Sequence, residues 1–325
     1  MLPTRIPTKE DFASILPSHP TYQARQQQQR QQQQQQQGGG RGGGQPDDPI
    51  VLVYPNPPES TTAILLLFHG LGDTEAAFAS FARNLALPGV LAISVRGTAP
   101  LPPALLPPSS STDDDGGDGG RAGYHWGDDL TFTRDGEAID PDPGFGRARA
   151  WVVDRLIGDV LVRRCGWAVA DILLFGFGQG ASFALGLASA LRKGDRVVEV
   201  VAEDDDDDDE TSAKGATDWL GRGGGRGGNG DGGKAFKGVV AIGGPLPMSM
   251  VPTVGGLGKS KTPVLVCCGR ESEAVDEDAV EVLEREFENV KVVRWKRNDD
   301  GMPRNREEAL PMMQFFAEKL RNVWL

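Results

Sequence analysis

The chain has 325 residues, of which 38% are apolar, and this composition can fill the core of one large or two small domains. No apolar run is long enough to span a membrane, and the first twenty residues carry mixed charge without the apolar region of a secretory signal. We therefore expect a cytoplasmic protein with no stable membrane insertion. The three cysteines (Cys165, Cys267 and Cys268) lack C-x-x-C spacing, which predicts reduced core thiols and no metal site.

The net charge of −12 is concentrated in one segment. The run EDDDDDDE at residues 203–210 supplies eight negative charges and leaves about four for the rest of the chain. Such a block of like charge stays solvated or serves as a partner-binding tail. Glycine-rich segments near Arg41 and Gly221 resemble RNA-associated sequences, but the second adjoins the acidic run, which repels phosphate. We predict no nucleic-acid partner.

Three low-complexity stretches interrupt the chain, at about residues 25–48, 107–122 and 202–233. They hold too little apolar surface to offset the entropy lost on ordering. The sequence therefore predicts a flexible N-terminal arm over residues 1–49, followed by one domain over residues 50–325 that carries the second and third stretches as disordered insertions.

Short apolar runs and helical patterns alternate through the predicted domain. The runs predict strands at 50–54, 63–68, 90–95, 171–177, 237–243, 263–269 and 290–295. Helical spacing predicts helices at 75–87, 147–165, 180–191, 275–287 and 306–323. Most strands are apolar throughout, as required in a sheet that is covered on both faces. The fold class is therefore α/β, a doubly wound and mostly parallel sheet with helices on both faces and a ligand site beyond the carboxyl ends of the strands.

The segment LFGFGQGA, residues 174–181, joins a predicted strand to a predicted helix and supports two interpretations. As G-x-G-x-x-A it matches a dinucleotide fingerprint, with Glu199 about twenty residues on as a candidate ribose partner. As a form of G-x-S-x-G it matches a nucleophile elbow, with Gly176 and Gly180 as the flanking glycines and Gly178 in the nucleophile slot. The elbow interpretation also accounts for HGLGD at residues 69–73, which follows an earlier strand as an oxyanion loop would.

A family resemblance extends the elbow interpretation to most of the domain. The segments LLLFHGLGD, AISVRGTAPLP, YHWGDDL, LLFGFGQGA, GVVAIGGPLP and PVLVCCG occur in this order. Together they resemble the phospholipase/carboxylesterase group of α/β-hydrolases, which includes the acyl-protein thioesterases. The resemblance implies an α/β-hydrolase fold, no cofactor, and activity on carboxylic esters or thioesters through a serine, a histidine and an acid.

The resemblance also locates three positions at which this sequence departs from the family. Gly178 stands where the family has the serine nucleophile, and Ser272 stands in the acid slot, beside Glu271 and Glu273. The base slot, near Asp300, lies in KRNDDGMPRN, which contains no histidine. Ser182 fits a looser G-x-S-x-A pattern, but it lies one helical turn beyond Gly178.

Five residues form the predicted oxyanion loop and ligand pocket: His69, Leu71, Gln179, His125 and Trp126. The resemblance assigns the oxyanion donors to the backbone N–H groups of Leu71 and Gln179. His125 with Asp128 or Asp129 supports three interpretations: a structural anchor of its loop, a replacement base, or a metal ligand, although two ligands at that spacing specify no metal.

The sequence favours a carboxylesterase/thioesterase-like chain without serine catalysis, a pseudoenzyme that binds a small acyl or ester ligand or a protein partner. One alternative is an active ester or thioester hydrolase with non-standard residues, and the other is a dinucleotide-binding protein. Acyl length and oligomeric state are left open by the sequence.

Overall fold

The computed structural model describes residues 4–23, 48–105, 122–132, 139–191, 235–253 and 258–321. The Gln/Gly tract, Glu199 and both predicted insertions lie outside these residues, apart from Ala122 at the end of the first insertion.

Seven strands form the central sheet, and a two-stranded pair lies apart from it. The sheet strands are β1 (Ile50–Val53), β2 (Ala63–Phe68), β3 (Val90–Val95), β6 (Ile172–Phe177), β7 (Gly238–Ile242), β8 (Val264–Cys268) and β9 (Val290–Arg294). The pair is β4 (Ala99–Pro100) with β5 (Tyr124–His125). The strand order in the sheet is β1-β3-β2-β6-β7-β8-β9, and only β1 runs antiparallel to its neighbour.

The helices are α1 (Lys9–Ala13), α2 (Glu75–Leu85), α3 (Gly146–Ala150), α4 (Gln179–Ala190), α5 (Glu277–Glu286) and α6 (Arg306–Leu320). Helix α3 continues directly into a π-helical segment, Trp151–Arg164. Side chains of Thr74, Asp276 and Asn305 cap the N-termini of α2, α5 and α6 by accepting backbone N–H groups of the first turn.

Two apolar clusters cover the two faces of the sheet. Along β2, Ile64, Leu66 and Phe68 belong to one cluster and the alternating residues to the other. The first cluster includes residues of α4, α5 and the π-helical segment, and the second includes residues of α2 and α6. Because side chains alternate along a strand, apolar runs without alternation supply both faces at once. The predicted fold class, a doubly wound α/β-hydrolase sheet, is confirmed.

The N-terminal segment of residues 4–23 packs on the domain, which differs from the flexible arm predicted over residues 1–49. Phe12 and Ile15 are buried in the first apolar cluster. The Trp167 indole N–H donates to the Arg5 carbonyl over 2.9 Å, and the Trp151 indole N–H donates to the Ser18 hydroxyl over 3.1 Å. The polar sequence downstream masks this short apolar pattern, so composition alone does not distinguish the packed part from the tract that follows.

Within the described ranges, no helix is both long enough and apolar enough to cross a membrane.

Candidate active site

The candidate site lies where the order of the strands reverses. Strand β3 lies on one side of β2, and β6 lies on the other side, followed across the sheet by β7, β8 and β9. A crevice forms at such a switch point beyond the carboxyl ends of the two central strands. The loop His69–Asp73 follows β2 and the glycine turn follows β6, so the structure brings the two predicted motifs together. We call this the switch-point crevice.

The turn after β6 has the backbone of a nucleophile elbow. Gly178 has φ +52° and ψ −120°, a conformation that L-residues adopt only under strain. Its N–H donates to the Ile242 carbonyl over 2.8 Å, which ties the turn to β7. A Cβ at Gly176 would lie less than 3.0 Å from the Gly180 carbonyl oxygen, and a Cβ at Gly180 would lie as close to the Phe68 carbonyl oxygen. These two glycines are required because helix α4 approaches the strands too closely for side chains.

Gly178 itself has open space around it. The nearest atom to an ideal Cβ at this position is the Cα of Gly70, 3.9 Å away, which is ordinary van der Waals contact. A side chain at position 178 would therefore enter the crevice beside the oxyanion loop, limited by the strained backbone and not by a neighbour.

His69, predicted as part of the ligand pocket, is fully buried and engaged on both ring nitrogens. Its Nδ1 donates to the Gly70 carbonyl and its Nε2 accepts the Gly97 N–H, each over 2.8 Å. These partners specify the neutral tautomer protonated on Nδ1, and burial lowers the pKa of His69 below its usual value. The ring therefore fixes two loops of the crevice and is not placed to take a proton from a ligand.

Trp126 is also buried, which differs from its predicted place in the ligand pocket. Its exposed fraction is 0%, and its ring stacks on Phe183 with the centroids 5.0 Å apart. The indole N–H donates to the His69 carbonyl, and the Trp126 backbone N–H donates to the Gln179 side-chain oxygen, each over 2.8 Å. Trp126 thus supports the oxyanion loop from behind and joins it to the first residue of α4.

The two predicted oxyanion donors lie in the two segments that form the crevice, Leu71 in the loop after β2 and Gln179 in the turn after β6. Leu71 is 39% exposed at the tip of its loop, where the Gly72 N–H donates to the Tyr124 carbonyl over 2.9 Å. Gln179 is the first residue of α4. In the part of the chain that the structure describes, the backbone N–H groups of Leu71 and Gln179 donate to no protein acceptor. Both remain available to a ligand oxygen.

The predicted acid and base slots meet, although they lie 28 residues apart in sequence. The Ser272 hydroxyl donates to Oδ2 of Asp300 over 2.6 Å, and Oδ1 of Asp300 accepts the Gly269 N–H over 2.7 Å. A Cβ at Gly243, directly after β7, would lie 2.6 Å from the Asp300 Cβ, so Asp300 fits closely against the turn beside the elbow. Both oxygens of the Asp300 carboxylate are therefore engaged in holding loops together.

The remaining carboxylates near these slots are exposed or paired elsewhere. Glu271 and Glu273 are exposed, and Glu271 accepts a hydrogen bond from Asn298 over 2.9 Å. Asp299 forms ion pairs with Arg297 and Arg304. None of these contacts reproduces the pairing of an acid with a base histidine.

His125 and Asp128 do not form the predicted catalytic pair. The Asp128 carboxylate accepts the N–H groups of Gly146 over 2.7 Å and Arg147 over 2.8 Å, which caps the start of α3. His125 is 3% exposed, and its Nδ1 is a buried atom without a partner among the described residues. Burial, followed by the positive charge of Arg147, lowers the pKa of His125. Its imidazole is therefore neutral at pH 7.

The other candidate nucleophiles are buried. Ser182 lies in the first turn of α4 with 2% of its surface exposed, and its N–H donates to the Gly178 carbonyl over 3.1 Å. Burial raises the pKa of Cys267 to about 12 and also raises that of Cys268, which keeps both thiols protonated. Among the described residues, no three His, Cys, Asp or Glu side chains are grouped as metal ligands.

A buried ion pair behind the crevice, between Arg96 and Glu75, was not predicted from the sequence. Nε of Arg96 donates to Glu75 over 2.8 Å, the two side chains are 4% and 7% exposed, and the guanidinium also covers the Tyr124 ring at 4.8 Å. The available signal was an arginine directly after the apolar strand β3, because a charge at such a position needs a buried partner. The pair ties the start of α2, and with it the oxyanion loop, to the end of β3.

Comparison with known proteins agrees with this geometry. Residues 52–202 match the family model described as phospholipase/carboxylesterase. An uncharacterized hydrolase of Schizosaccharomyces pombe is 35% identical over 121 residues, which are 37% of this chain and 44% of that protein. The chain spans less than half the length of the curated relatives it matches.

Two solved structures are also similar. The crystal structure of esterase PE8 superposes with a TM-score of 0.50 at 14% identity, covering 83% of this chain and 98% of that one. The crystal structure of Zea mays acyl-protein thioesterase 2 has a TM-score of 0.48 at 20% identity, with the same coverage. At these identities only the fold is shown. The resemblance predicted from the sequence is confirmed: residues 52–202, slightly under half of the chain, match the phospholipase/carboxylesterase model, whose members are α/β-hydrolases.

Proposed function

We propose that this chain is a non-catalytic member of its family, which uses the switch-point crevice to bind an acyl or ester ligand or an acylated protein partner in the cytoplasm. The observation that carries this proposal is the elbow at Gly178. Its backbone has the strained geometry of a nucleophile position, yet the residue has no side chain that could attack an acyl carbon.

The environment of Asp300 supports the same proposal. A serine nucleophile needs a base that accepts its proton, and the residue in the base slot is a carboxylate hydrogen-bonded to Ser272 and Gly269. A carboxylate is a weaker general base toward a hydroxyl than the imidazole of a histidine is. Because the members of a triad act as a unit, loss of even one lowers the rate by about 10⁴ to 10⁶.

The binding half of the site does not depend on the missing side chains. The N–H groups of Leu71 and Gln179 are backbone donors, and Gln179 begins a helix of twelve residues whose N-terminus favours negative charge. The open space at Gly178 gives room for an acyl carbonyl or a carboxylate between these donors. A small acyl ligand, or the acyl group of a modified protein, has the required chemistry.

Restoring the residues of the family at the three positions where this chain departs from it tests the proposal. A fluorophosphonate probe should not label the wild-type chain, and a p-nitrophenyl ester should not be turned over. The triple variant Gly178→Ser, Ser272→Asp, Asp300→His should gain both properties, because position 178 has room for a serine and slots 272 and 300 already contact each other. The matched control keeps the two other changes but carries Gly178→Ala. Covalent labelling of wild-type protein at any serine of the crevice would refute the proposal.

Binding is measured separately from turnover. Octanoate should raise the melting temperature of the wild-type chain, since a ligand selective for the native state stabilises it. NAD in the same assay tests the dinucleotide alternative, which predicts a shift with NAD and none with octanoate.

One observation favours a second candidate, an active hydrolase with non-standard residues. The buried Nδ1 of His125 has no partner among the described residues, so this imidazole has unused hydrogen-bonding capacity. If His125 is a replacement base, ester turnover should be present in the wild-type chain, vanish in His125→Ala and persist in Ser182→Ala. Absence of turnover with esters of short, medium and long acyl chains contradicts this candidate.

A further inference from the structure

A second cleft lies between the N-terminal segment and the π-helical segment Trp151–Arg164. Its volume is about 840 Å³, which is within the usual range for sites that hold small molecules. The wall on the N-terminal side includes Ser14, Ser18 and Gln23, and the helical wall includes arginines and one aspartate. None of its lining residues belongs to the switch-point crevice. The cleft is therefore a separate feature of the molecule.

The helical wall is positively charged although the chain as a whole has a net charge of −12. Arg155, Arg163 and Arg164 line the cleft, and among the described lining residues Asp159 is the only acidic one. Asp159 accepts a hydrogen bond from Arg155 over 3.1 Å and another from Arg163. The described lining residues thus carry three guanidinium groups and one carboxylate, an excess of two positive charges. Asp154, on the same helical segment, interacts electrostatically with Arg155 and Arg163 but does not line the cleft.

The arginine side chains are held in place by hydrogen bonds that use only some of their N–H donors. Residues 155, 159 and 163 follow one another at intervals of four, so they share one face of the helix and the carboxylate lies between two guanidinium groups. Nη1 of Arg164 donates to the Asp11 carbonyl over 2.6 Å, which fixes that side chain against the N-terminal segment. A guanidinium has five N–H donors, and the described hydrogen bonds to protein use one in each of the three arginines.

We propose that this cleft binds a phosphate monoester. Guanidinium groups bind phosphate through paired N–H donors, and an excess of two positive charges matches the nearly dianionic phosphate monoester better than a singly charged carboxylate. The Ser14 hydroxyl and the Gln23 amide, on the opposite wall, supply neutral hydrogen-bonding groups for the rest of such a ligand. Because the cleft shares no residue with the crevice, the proposal does not depend on acyl binding there.

The probe is glycerol 3-phosphate, titrated into the full chain and followed by ³¹P line broadening and by calorimetry. We expect Arg155→Gln and Arg163→Gln each to weaken binding about threefold to tenfold, because each removes a charged donor that solvent partly screens. Asp159→Asn should tighten binding about twofold to fivefold, since it removes the opposing charge while keeping a side chain of the same size. The matched control is Arg149→Gln, which removes an equal charge from an exposed residue outside the cleft and should change affinity less than twofold.

The source of the phosphate is tested with vesicles of phosphatidic acid in phosphatidylcholine. If the wild-type chain sediments with these vesicles and the two cleft arginine variants do not, the ligand is a lipid headgroup. If only the soluble ester binds, the ligand is a free phosphate monoester. Three results would overturn the proposal: no binding of either probe, equal weakening by Arg149→Gln and Arg163→Gln, or weaker binding by Asp159→Asn.

Discussion

The glycine turn after β6 makes a quantitative prediction, because Gly180 is required by steric contact whereas Gly178 has a strained backbone in open space. An alanine Cβ at Gly180 would lie less than 3.0 Å from the carbonyl oxygens of Phe68, the last residue of β2, and His69, the first residue of the oxyanion loop, and both are backbone atoms. Relief of this overlap requires helix α4 to move away from β2. We expect Gly180→Ala to lower the free energy of unfolding by about 4 kcal/mol or more, a loss at the upper end for single substitutions.

Gly178→Ala should be much less destabilising, although Gly178 is the glycine with the strained backbone. Its Cβ would have no neighbour closer than 3.9 Å, so the change creates strain without a clash. A non-glycine residue in such a conformation costs about 1 to 3 kcal/mol, and the stiffer unfolded chain returns about 0.4 to 1 kcal/mol. The expected net loss is therefore about 0 to 2.5 kcal/mol.

Equilibrium urea denaturation at one temperature measures both values from the midpoint and the m-value. Gly258→Ala is the control, because no atom of the described residues lies within 4 Å of a Cβ there, and it should leave the midpoint unchanged within error. If Gly180→Ala is too unstable to purify, its soluble yield relative to Gly178→Ala gives the same ranking. Equal destabilisation by the changes at 178 and 180 would refute the distinction between a strained open position and a sterically filled one.

Two further predictions concern stability. Ser272→Ala removes the hydroxyl that donates to the Asp300 carboxylate over 2.6 Å and should lower the free energy of unfolding by about 1.5 to 3 kcal/mol. The control Ser80→Ala, at an exposed position, should be nearly neutral. Equal urea midpoints for the two variants would show that the Ser272 hydrogen bond is not stabilising. Burial lowers the pKa of His19 to about 3. Between pH 6.5 and pH 3 the unfolded chain therefore binds more protons than the folded chain, and the free energy of unfolding decreases by up to about 1.4 kcal/mol for each unit by which the pH falls. The free energy of unfolding should therefore fall more between pH 7 and pH 5 in the wild-type chain than in His19→Gln, with the other two histidines contributing equally to both; identical losses would contradict a neutral buried His19.

The sequence was sufficient to predict the sheet because each strand is an apolar run between turn residues. The strand predicted at 63–68 has the observed bounds, and that at 171–177 differs by one residue at its start. Helix ends were less accurate: the helix predicted at 75–87 ends at Leu85, and the end predicted at 323 lies outside the described residues. Propensity changes gradually at a helix end, where capping and fraying decide the last turn.

Contacts between distant side chains were not predictable in the same way. The sequence assigned Ser272 and Asp300 to separate slots, but their hydrogen bond depends on how two loops pack beside Gly243. It also placed Trp126 in the ligand pocket, whereas the structure buries this ring against Phe183. Residue type and spacing show that an indole is present, but only the packing of its loop decides which side of that loop the ring occupies.

The steric roles of these glycines explain how an elbow can persist without a nucleophile. Gly176 and Gly180 are required by the approach of α4 to the sheet, and Gly244 by its approach to the Gly178 carbonyl oxygen, none of which involves chemistry at position 178. Position 178 is the residue of the turn whose side-chain direction is open, and there glycine also relieves the backbone strain that serine imposes. A change from serine to glycine would therefore remove the attacking atom while keeping the turn, its helix and its backbone donors. The fold of the turn therefore follows from the constraints at its other glycines, which leave the side chain at position 178 free to change.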